Sequence, residues 1–250
     1  MVKNLYTSTV LKAFEILECF EDGSRELGIK ELSLQVGMPP SSLHHIVNSL
    51  EYIGMVYQNE ENKKYRMGPR CLEMSYKSQH MAQYRQIAEK RMKALEQETG
   101  ENVNLAIDEG DSVILIHKEE CGHMLRPNFP LYTPFKSYKT GLGRVMLAEK
   151  SDAALERIYQ ENQKDIGMTR EAFFKMVESV RQNGYAYDDQ VFCSGLRCIA
   201  APIRGPGGRV LFSVSVSAPM NRMSDETCQR VCKLLVKYMD LASGEIQGLG

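Results

Sequence analysis

Hydrophobic and polar positions divide the chain into two blocks with different patterns. Up to about residue 56, apolar residues recur at intervals of three and four, which is typical of short amphipathic helices. From residue 102 onward, alternating and continuous apolar runs of strand length stand between further helical segments. A long amphipathic segment over residues 72–98 joins the blocks and ends at Thr99-Gly100. The pattern therefore predicts two domains and a helical connector.

The N-terminal block has the pattern of three short helices. Their apolar stripes are Val10, Phe14, Ile16 and Leu17, then Ile29, Leu32 and Leu34, then Leu43, Ile46, Val47 and Leu50. Gly37 ends the second helix, and Pro39 and Pro40 stand where the third begins. At 100° per residue, the other side of the third helix is polar. It carries Ser41, Ser42, His44, His45, Asn48 and Tyr52. A glycine turn followed by a helix with a polar face is typical of a helix-turn-helix.

A short hairpin pattern follows the third helix. Residues 55–57 and 64–67 flank a polar turn, and this two-stranded wing would present Lys63, Lys64 and Arg66. The pattern predicts a winged helix-turn-helix domain over residues 1–70. Three-helix packings with glycine turns also occur in proteins that do not bind DNA, so the pattern alone leaves both functions open.

The charge of the N-terminal block argues against DNA binding. Residues 1–75 hold eight Lys and Arg but ten Asp and Glu, a net charge of −2, whereas domains that bind duplex DNA are usually basic. Most of these acids lie on the first helix and the turn after it, and the third helix has only Glu51. Backbone N–H groups and the hydroxyls of Ser41 and Ser42 could bind phosphate without formal charge. DNA binding therefore remains a hypothesis at this point.

The C-terminal block combines strand and helix patterns. Residues 102–108 alternate, 109–111 form a turn and 112–118 run apolar again, which predicts a hairpin. A second strand pair, 196–203 and 210–217, surrounds the turn Gly205–Gly208. Helical patterns cover residues 141–148, 152–160, 169–183 and 224–241. The fold class predicted for the chain is α+β, with an antiparallel sheet and flanking helices in the second domain.

Composition excludes several classes of protein. The 250 residues are 43% hydrophobic and carry a net charge of −1, as in ordinary globular proteins. No apolar run has the length of a membrane helix, and the N-terminus lacks the apolar stretch of a secretory signal. The seven cysteines are scattered without a C-x-x-C pair, which favours a reduced, cytoplasmic location over a disulfide framework.

Four motifs in register resemble the IclR family of bacterial transcriptional regulators. They are Gly37–Val47, Tyr65–Arg70, Ser137–Arg144, and the segment from Gly184 to Asp189 that continues through Gly195–Ile203. The resemblance runs in order over nearly the whole chain. It implies a winged helix-turn-helix domain over residues 1–70, a linker and dimerisation helix over 71–100, and a GAF/PAS-like effector-binding domain over 101–250.

The resemblance also implies partners. A dimer, or a dimer of dimers, would bind a palindromic operator in double-stranded DNA. The residues expected at the DNA are Ser41, Ser42, His44, His45 and Asn48 in the major groove, and Lys63, Lys64 and Arg66 at the backbone. Two departures, Pro40 and His45, stand where the family commonly carries basic residues. No cofactor is expected.

Alternating serines mark the candidate effector site. Ser213, Ser215 and Ser217 point to one face of a strand, and such a face is more commonly solvated than part of a pocket. The resemblance instead places an effector site at Gly141, Leu142, Asp188, Cys198, Ser215 and Ser217. Backbone N–H groups where a helix begins favour a carboxylate, and Asp188 would accept a hydrogen bond from a ligand hydroxyl or ammonium. The predicted effector is a small carboxylate-bearing metabolite.

Other chemistry finds less support in the sequence. Cys121, His123 and His117 fit no standard zinc spacing, so no metal is expected. Cys193 with Cys198, or Cys228 with Cys232, could form redox pairs, although Cys228 and Cys232 have the spacing of buried helix positions. A nucleophilic Cys198 would need a base, and no histidine lies near it in sequence. The chain is therefore predicted not to be an enzyme. The main alternative is a metabolite sensor that acts through protein contacts without useful DNA binding.

Overall fold

The structure, a computed structural model, describes residues 7–20, 25–76 and 79–249. Contacts divide the chain into two compact units, residues 1–82 and 83–250. Residues 83–98, the larger part of the predicted connector, belong to the second unit. Nothing in the described part of the chain forms a helix that is both long and apolar enough to cross a membrane.

The first unit is a winged helix-turn-helix, as predicted. Its elements are α1 (Ser8–Glu18), α2 (Ile29–Val36), α3 (Pro40–Tyr52), β1 (Val56–Gln58), β2 (Tyr65–Met67) and α4 (Arg70–Tyr76). Gly37 ends α2 with φ +66°, a backbone conformation that glycine adopts without strain. The two strands pair antiparallel and form the wing.

The core of the first unit confirms the stripe of α3 and corrects those of α1 and α2, since Leu32 of α2 is buried but Leu34 is 85% exposed. Leu43, Ile46, Val47 and Leu50 are all buried, as the spacing predicts. On α1, Ile16 is buried and packs with Ala13 and Leu17. Val10 and Phe14 are exposed, so the predicted stripe of α1 is wrong at these two positions. Fewer residues of α1 face the core than its apolar pattern predicts.

The second unit is a six-stranded antiparallel sheet with helices on both faces. Its strands are β3 (Asn102–Glu109), β4 (Ser112–Glu119), β5 (Pro134–Lys136), β6 (Ala186–Asp189), β7 (Leu196–Arg204) and β8 (Val210–Pro219). Their order in the sheet is β5-β4-β3-β8-β7-β6, which leaves the two shortest strands at the edges. The helices are α5 (Gln79–Thr99), α6 (Gly141–Ala148), α7 (Asp152–Ile166), α8 (Arg170–Asn183) and α9 (Asp225–Gln247). Two predicted helices thus end later than expected, α7 and α9.

The two faces of this sheet are covered by different helices. On one face, Val214 and Val216 of β8 share a core with residues of α5 and α9 such as Met92 and Leu235. On the other face, α6 packs against the sheet. Because both faces are covered, the first five residues of β3 are buried without alternation. The alternating serines of β8 are buried as well, which excludes the alternative of a solvated serine face.

Candidate functional site

All six residues predicted to bind an effector line one cavity between α6 and the sheet. They are Gly141, Leu142, Asp188, Cys198, Ser215 and Ser217. The register of the sheet brings them together, because Asp188 of β6 pairs with Cys198 of β7, which pairs with Ser217 of β8. The cavity is small, with a volume of about 30 Å³.

Hydroxyl, thiol and amide groups form a hydrogen-bonded floor. The sulfur of Cys198 lies 2.9 Å from Ser217 Oγ, and Asn104 Nδ2 donates to Ser215 Oγ and Ser217 Oγ at 3.4 Å each. Asn104 reaches these serines because it stands opposite Ser215 in the register of β3 and β8. The sequence pattern did not single out Asn104. The available signal was an asparagine between Val103 and Leu105 in the alternating strand pattern of residues 102–108.

The thiol of Cys198 has the properties of a packing group. Burial raises its pKa to about 12, and the Asp188 carboxylate acts in the same direction. Cys198 therefore remains a neutral thiol at physiological pH, whereas nucleophilic cysteines react as thiolates. This chemistry is unsuited to covalent catalysis.

Asp188 is the acidic group of the cavity, and its side chain is 2% exposed. Burial raises the pKa of its carboxyl group. The charge of Arg144 and the backbone N–H groups of Val191 and Phe192 oppose this shift, and Val191 N lies 2.9 Å from Asp188 Oδ1. Arg144 is itself buried and donates to the Tyr187 carbonyl at 3.2 Å. Its Nε has no hydrogen-bond partner among the described residues.

The start of α6 forms another wall of the cavity. Thr140 Oγ1 accepts a hydrogen bond from Gly143 N at 3.0 Å and caps the helix. The N–H groups of Gly141 and Leu142 belong to the first turn, where a helix supplies no internal acceptor. A side chain at position 143 would collide with the backbone, because a Cβ there would lie 2.2 Å from the Cα of Ser137. Glycine at this position lets α6 begin close to residue 137.

Three phenylalanines cover the apolar side of the cavity. Phe129, Phe135 and Phe192 contact one another edge to face, with ring centroids 5.5–6.1 Å apart. Sequence analysis missed all three, because Phe129 and Phe192 lie in irregular loops and Phe135 in a three-residue strand. The cavity is thus polar towards β8 and aromatic on the opposite side, which suits a small amphipathic molecule.

The polar face predicted for α3 is exposed in full. It presents Ser41, Ser42, His44, His45 and Asn48. On the wing, Lys63 and Arg66 are exposed, and the Arg66 guanidinium lies 5.2 Å from the centre of the Tyr57 ring. Lys64 differs, since its ammonium forms an ion pair with Glu31 at 3.2 Å. Glu31 also accepts a hydrogen bond from Gly28 N at the start of α2.

The other sequence hypotheses do not converge on a site. The described residues contain no cluster of three or more His, Cys, Asp or Glu side chains that could hold a metal ion. His117 lies instead between the carboxylates of Glu89 and Glu119. None of the seven cysteines, all within the described residues, forms a disulfide, and Cys228 of α9 is buried in the core, in agreement with the packing interpretation.

A winged helix-turn-helix joined to this α+β unit defines a DNA-binding transcriptional regulator. Residues 9–60 match the IclR helix-turn-helix domain, and residues 77–242 match the family described as bacterial transcriptional regulator IclR C-terminal. The chain belongs to the IclR family of bacterial transcriptional regulators, which are not enzymes. The resemblance noted in the sequence is thereby confirmed.

Similar proteins cover almost the full length of the chain. The regulator KdgR of Escherichia coli K12 is 30% identical over 91% of this chain and 88% of its own length. XynR of the same organism is 28% identical over 87% of this chain and 88% of its own length.

Two solved structures share the fold. IclR of Thermotoga maritima has a TM-score of 0.69, 22% identity and coverage of 96% of this chain and 99% of its own. An IclR homologue from Microbacterium hydrocarbonoxydans, complexed with 4-hydroxybenzoate, has a TM-score of 0.78, 17% identity and coverage of 95% and 98%.

Proposed function

We propose that a small carboxylate-bearing metabolite, bound in the cavity, controls the binding of this regulator to its operator. The observation that carries the proposal is the convergence of Asp188, Cys198, Ser215, Ser217 and the first turn of α6 on one cavity. The ligand carboxylate would accept hydrogen bonds from the first N–H groups of α6. Its apolar body would lie against the three phenylalanines. The 4-hydroxybenzoate in the Microbacterium homologue is a small carboxylate of this kind.

At the DNA, α3 would enter the major groove of a palindromic operator. Ser41, Ser42, His44, His45 and Asn48 would contact bases and nearby phosphates, while Lys63, Lys64 and Arg66 would meet the backbone. Seven cysteines without a disulfide among the described residues support a cytoplasmic location. For the effector to act on DNA binding, it must bind more tightly to one of two states of the protein.

Two substitutions separate base recognition from backbone contact. Asn48→Ala should relax the preference for particular bases, by about 1–3 kcal/mol at the affected position. Lys64→Ala should weaken binding to all sequences to a similar degree and reduce the dependence on salt, because each phosphate contact contributes about 0.9 to the log–log slope. The measurement is an electrophoretic mobility shift on the DNA upstream of the chain's own gene, at several salt concentrations.

The same mobility shift tests the proposed function as a whole. Adding small carboxylic acids should change the fraction of DNA bound. If removal of residues 1–70 leaves the DNA affinity unchanged, these residues do not form the DNA-binding surface.

The negative net charge of residues 1–75 favours a second candidate function, a metabolite sensor that acts through protein contacts. That candidate predicts effector binding without any specific DNA shift.

We also propose that the regulator is a homodimer or a dimer of dimers without its ligand. Leu72, Met74 and Met81 are 75%, 54% and 39% exposed, a concentration of apolar surface on α4 and the start of α5. Met92 and Leu95, farther along α5, are buried in the core of their own unit and add nothing to this surface. Sedimentation at micromolar concentration should give a mass of at least two chains. A double change, Leu72→Glu with Met74→Glu, should shift the mass towards one chain, and a wild-type mass of one chain would contradict the proposal.

A further inference from the structure

Few charged side chains are buried in this protein. Among the residues that the structure describes, they are Glu101, Arg144 and Asp188. Glu101 is paired with Arg222, whose Nε lies 2.6 Å from its carboxylate. The other two, Arg144 and Asp188, influence each other's ionisation as opposite charges. The buried charge beside the cavity therefore sums to zero before any ligand enters.

An anionic ligand would add a negative charge close to Asp188 and so disturb the balance of buried charge. A Cβ built on Gly141 would lie 3.8 Å from the Cβ of Asp188 and 3.9 Å from that of Cys198. A carboxylate held by the first N–H groups of α6 would consequently stand beside the Asp188 carboxylate rather than across the cavity from it. Two carboxylates that share a site shielded from water do not both remain ionised, and one of them takes up a proton.

We propose that a monocarboxylate effector binds together with one proton, which Asp188 takes from the solvent and holds in a hydrogen bond to the ligand carboxylate. The inference rests on the proposed function and adds a pH dependence to it. The proton restores the charge balance, since the buried groups then comprise one cation, Arg144, and one anion, the ligand. A protonated carboxyl group keeps an acceptor oxygen for the Val191 N–H group, so the loop after β6 need not rearrange.

The groups around Asp188 determine the direction in which its pKa shifts, and with it whether ligand affinity rises or falls with pH. Arg144 of α6 and the backbone N–H groups of Val191 and Phe192 favour the ionised form, burial and the charge of Asp189 oppose it, and Cys198 stays a neutral thiol. Burial is the largest influence and raises the pKa of Asp188 already without ligand. A ligand anion raises this pKa further, so binding takes up close to one proton at pH values between the pKa of the free protein and that of the complex. Over this pH range the affinity falls by about tenfold for each unit of rising pH.

Isothermal titration calorimetry at pH 6 and pH 8 measures the proton directly. The probes are 4-hydroxybenzoate, benzoate, lactate and pyruvate, whose carboxyl groups are ionised at both pH values. At each pH, two buffers with different ionisation enthalpies report the number of protons taken up. For the wild type we expect an uptake close to one proton at pH 8 and a dissociation constant about 10- to 100-fold higher at pH 8 than at pH 6.

Two variants test whether Asp188 is the group that takes up the proton. In Asp188→Asn the amide imitates the protonated carboxyl group, so proton uptake should vanish and the affinity at pH 8 should equal or exceed that of the wild type. The matched control is Asp189→Asn, the next residue of β6, whose carboxylate pairs with Arg197 at 2.9 Å and does not line the cavity. It should keep the pH dependence of the wild type. Circular dichroism verifies that both variants are folded.

Each other outcome overturns the inference in a recognisable way. Wild-type binding without proton uptake or pH dependence rejects it and leaves the proposed function intact. A pH dependence that persists in Asp188→Asn rejects Asp188 as the proton acceptor. Absence of binding by all four acids at both pH values contradicts the carboxylate effector itself, and the proton linkage with it.

Discussion

Replacing Gly143 with alanine should lower the free energy of unfolding of the unit 83–250 by about 3 kcal/mol. The new Cβ would lie 2.2 Å from Cα and 2.4 Å from the carbonyl oxygen of Ser137. Real Cβ atoms do not approach backbone so closely, and a backbone segment cannot turn aside as a flexible side chain can. Relief would therefore require α6 to move away from residue 137, which opens the core between α6 and the sheet. Denaturant titration followed by circular dichroism gives the change in stability.

Gly141→Ala is the matched control for this effect. It lies in the same helical turn, but its Cβ would meet the nearest atom, the Cβ of Ala200, at 3.5 Å, an ordinary contact. We expect a stability close to that of the wild type. The added methyl group projects towards Asp188 and Cys198, so the same variant should bind the effector more weakly. Equal losses of stability in both variants would show that the approach to Ser137 is not the cause.

Ser215→Ala should weaken effector binding by about 5- to 150-fold, with folding and ligand-free DNA affinity nearly unchanged. Ser215 Oγ accepts a hydrogen bond from Asn104 Nδ2 and lines the cavity. Removing it leaves a polar group of the ligand without a partner, at a cost of about 1–3 kcal/mol, whereas Asn104 Nδ2 still donates to Ser217 Oγ. That range corresponds to the stated change in affinity. Calorimetric titration with an acid that binds the wild type measures it.

Ser213→Ala provides the control within the same strand. Ser213 points to the same face of β8 two residues earlier, but it does not line the cavity. Its hydroxyl is buried without a hydrogen-bond partner among the described residues. Its removal should leave the effector affinity unchanged and the stability equal or slightly higher. If Ser215→Ala and a bulky Ser217→Phe both bind the effector normally, the ligand site lies elsewhere.

The sequence predicted the parts of the fold that depend on local periodicity. The apolar spacing in α3 gave its buried face, and glycines marked the ends of α2 and α8 where positive φ is required. The bounds of α6 agree with the predicted residues 141–148 because Thr140 caps the helix by its own side chain.

The composition of the cavity wall depended on tertiary contacts that periodicity does not encode. A strand pattern indicates that Ser213, Ser215 and Ser217 share a face, but it does not indicate that α6 covers this face. The family resemblance supplied that step for Ser215 and Ser217. It did not supply Asn104, which stands opposite Ser215 in the register of β3 and β8, or the aromatic wall that two irregular loops and β5 contribute.

The short edge strands of the sheet restrict how copies of this protein can associate. β5 has three residues, begins with Pro134 and ends with Lys136, and β6 at the other edge has four residues and ends with two aspartates. Proline, charge and short length are features that discourage an edge from pairing with the strand of another chain. Association between second units is therefore expected to use side-chain surfaces rather than a continuous intermolecular sheet. The same edges should protect the folded protein from aggregation of the amyloid type at the high concentrations that calorimetry requires.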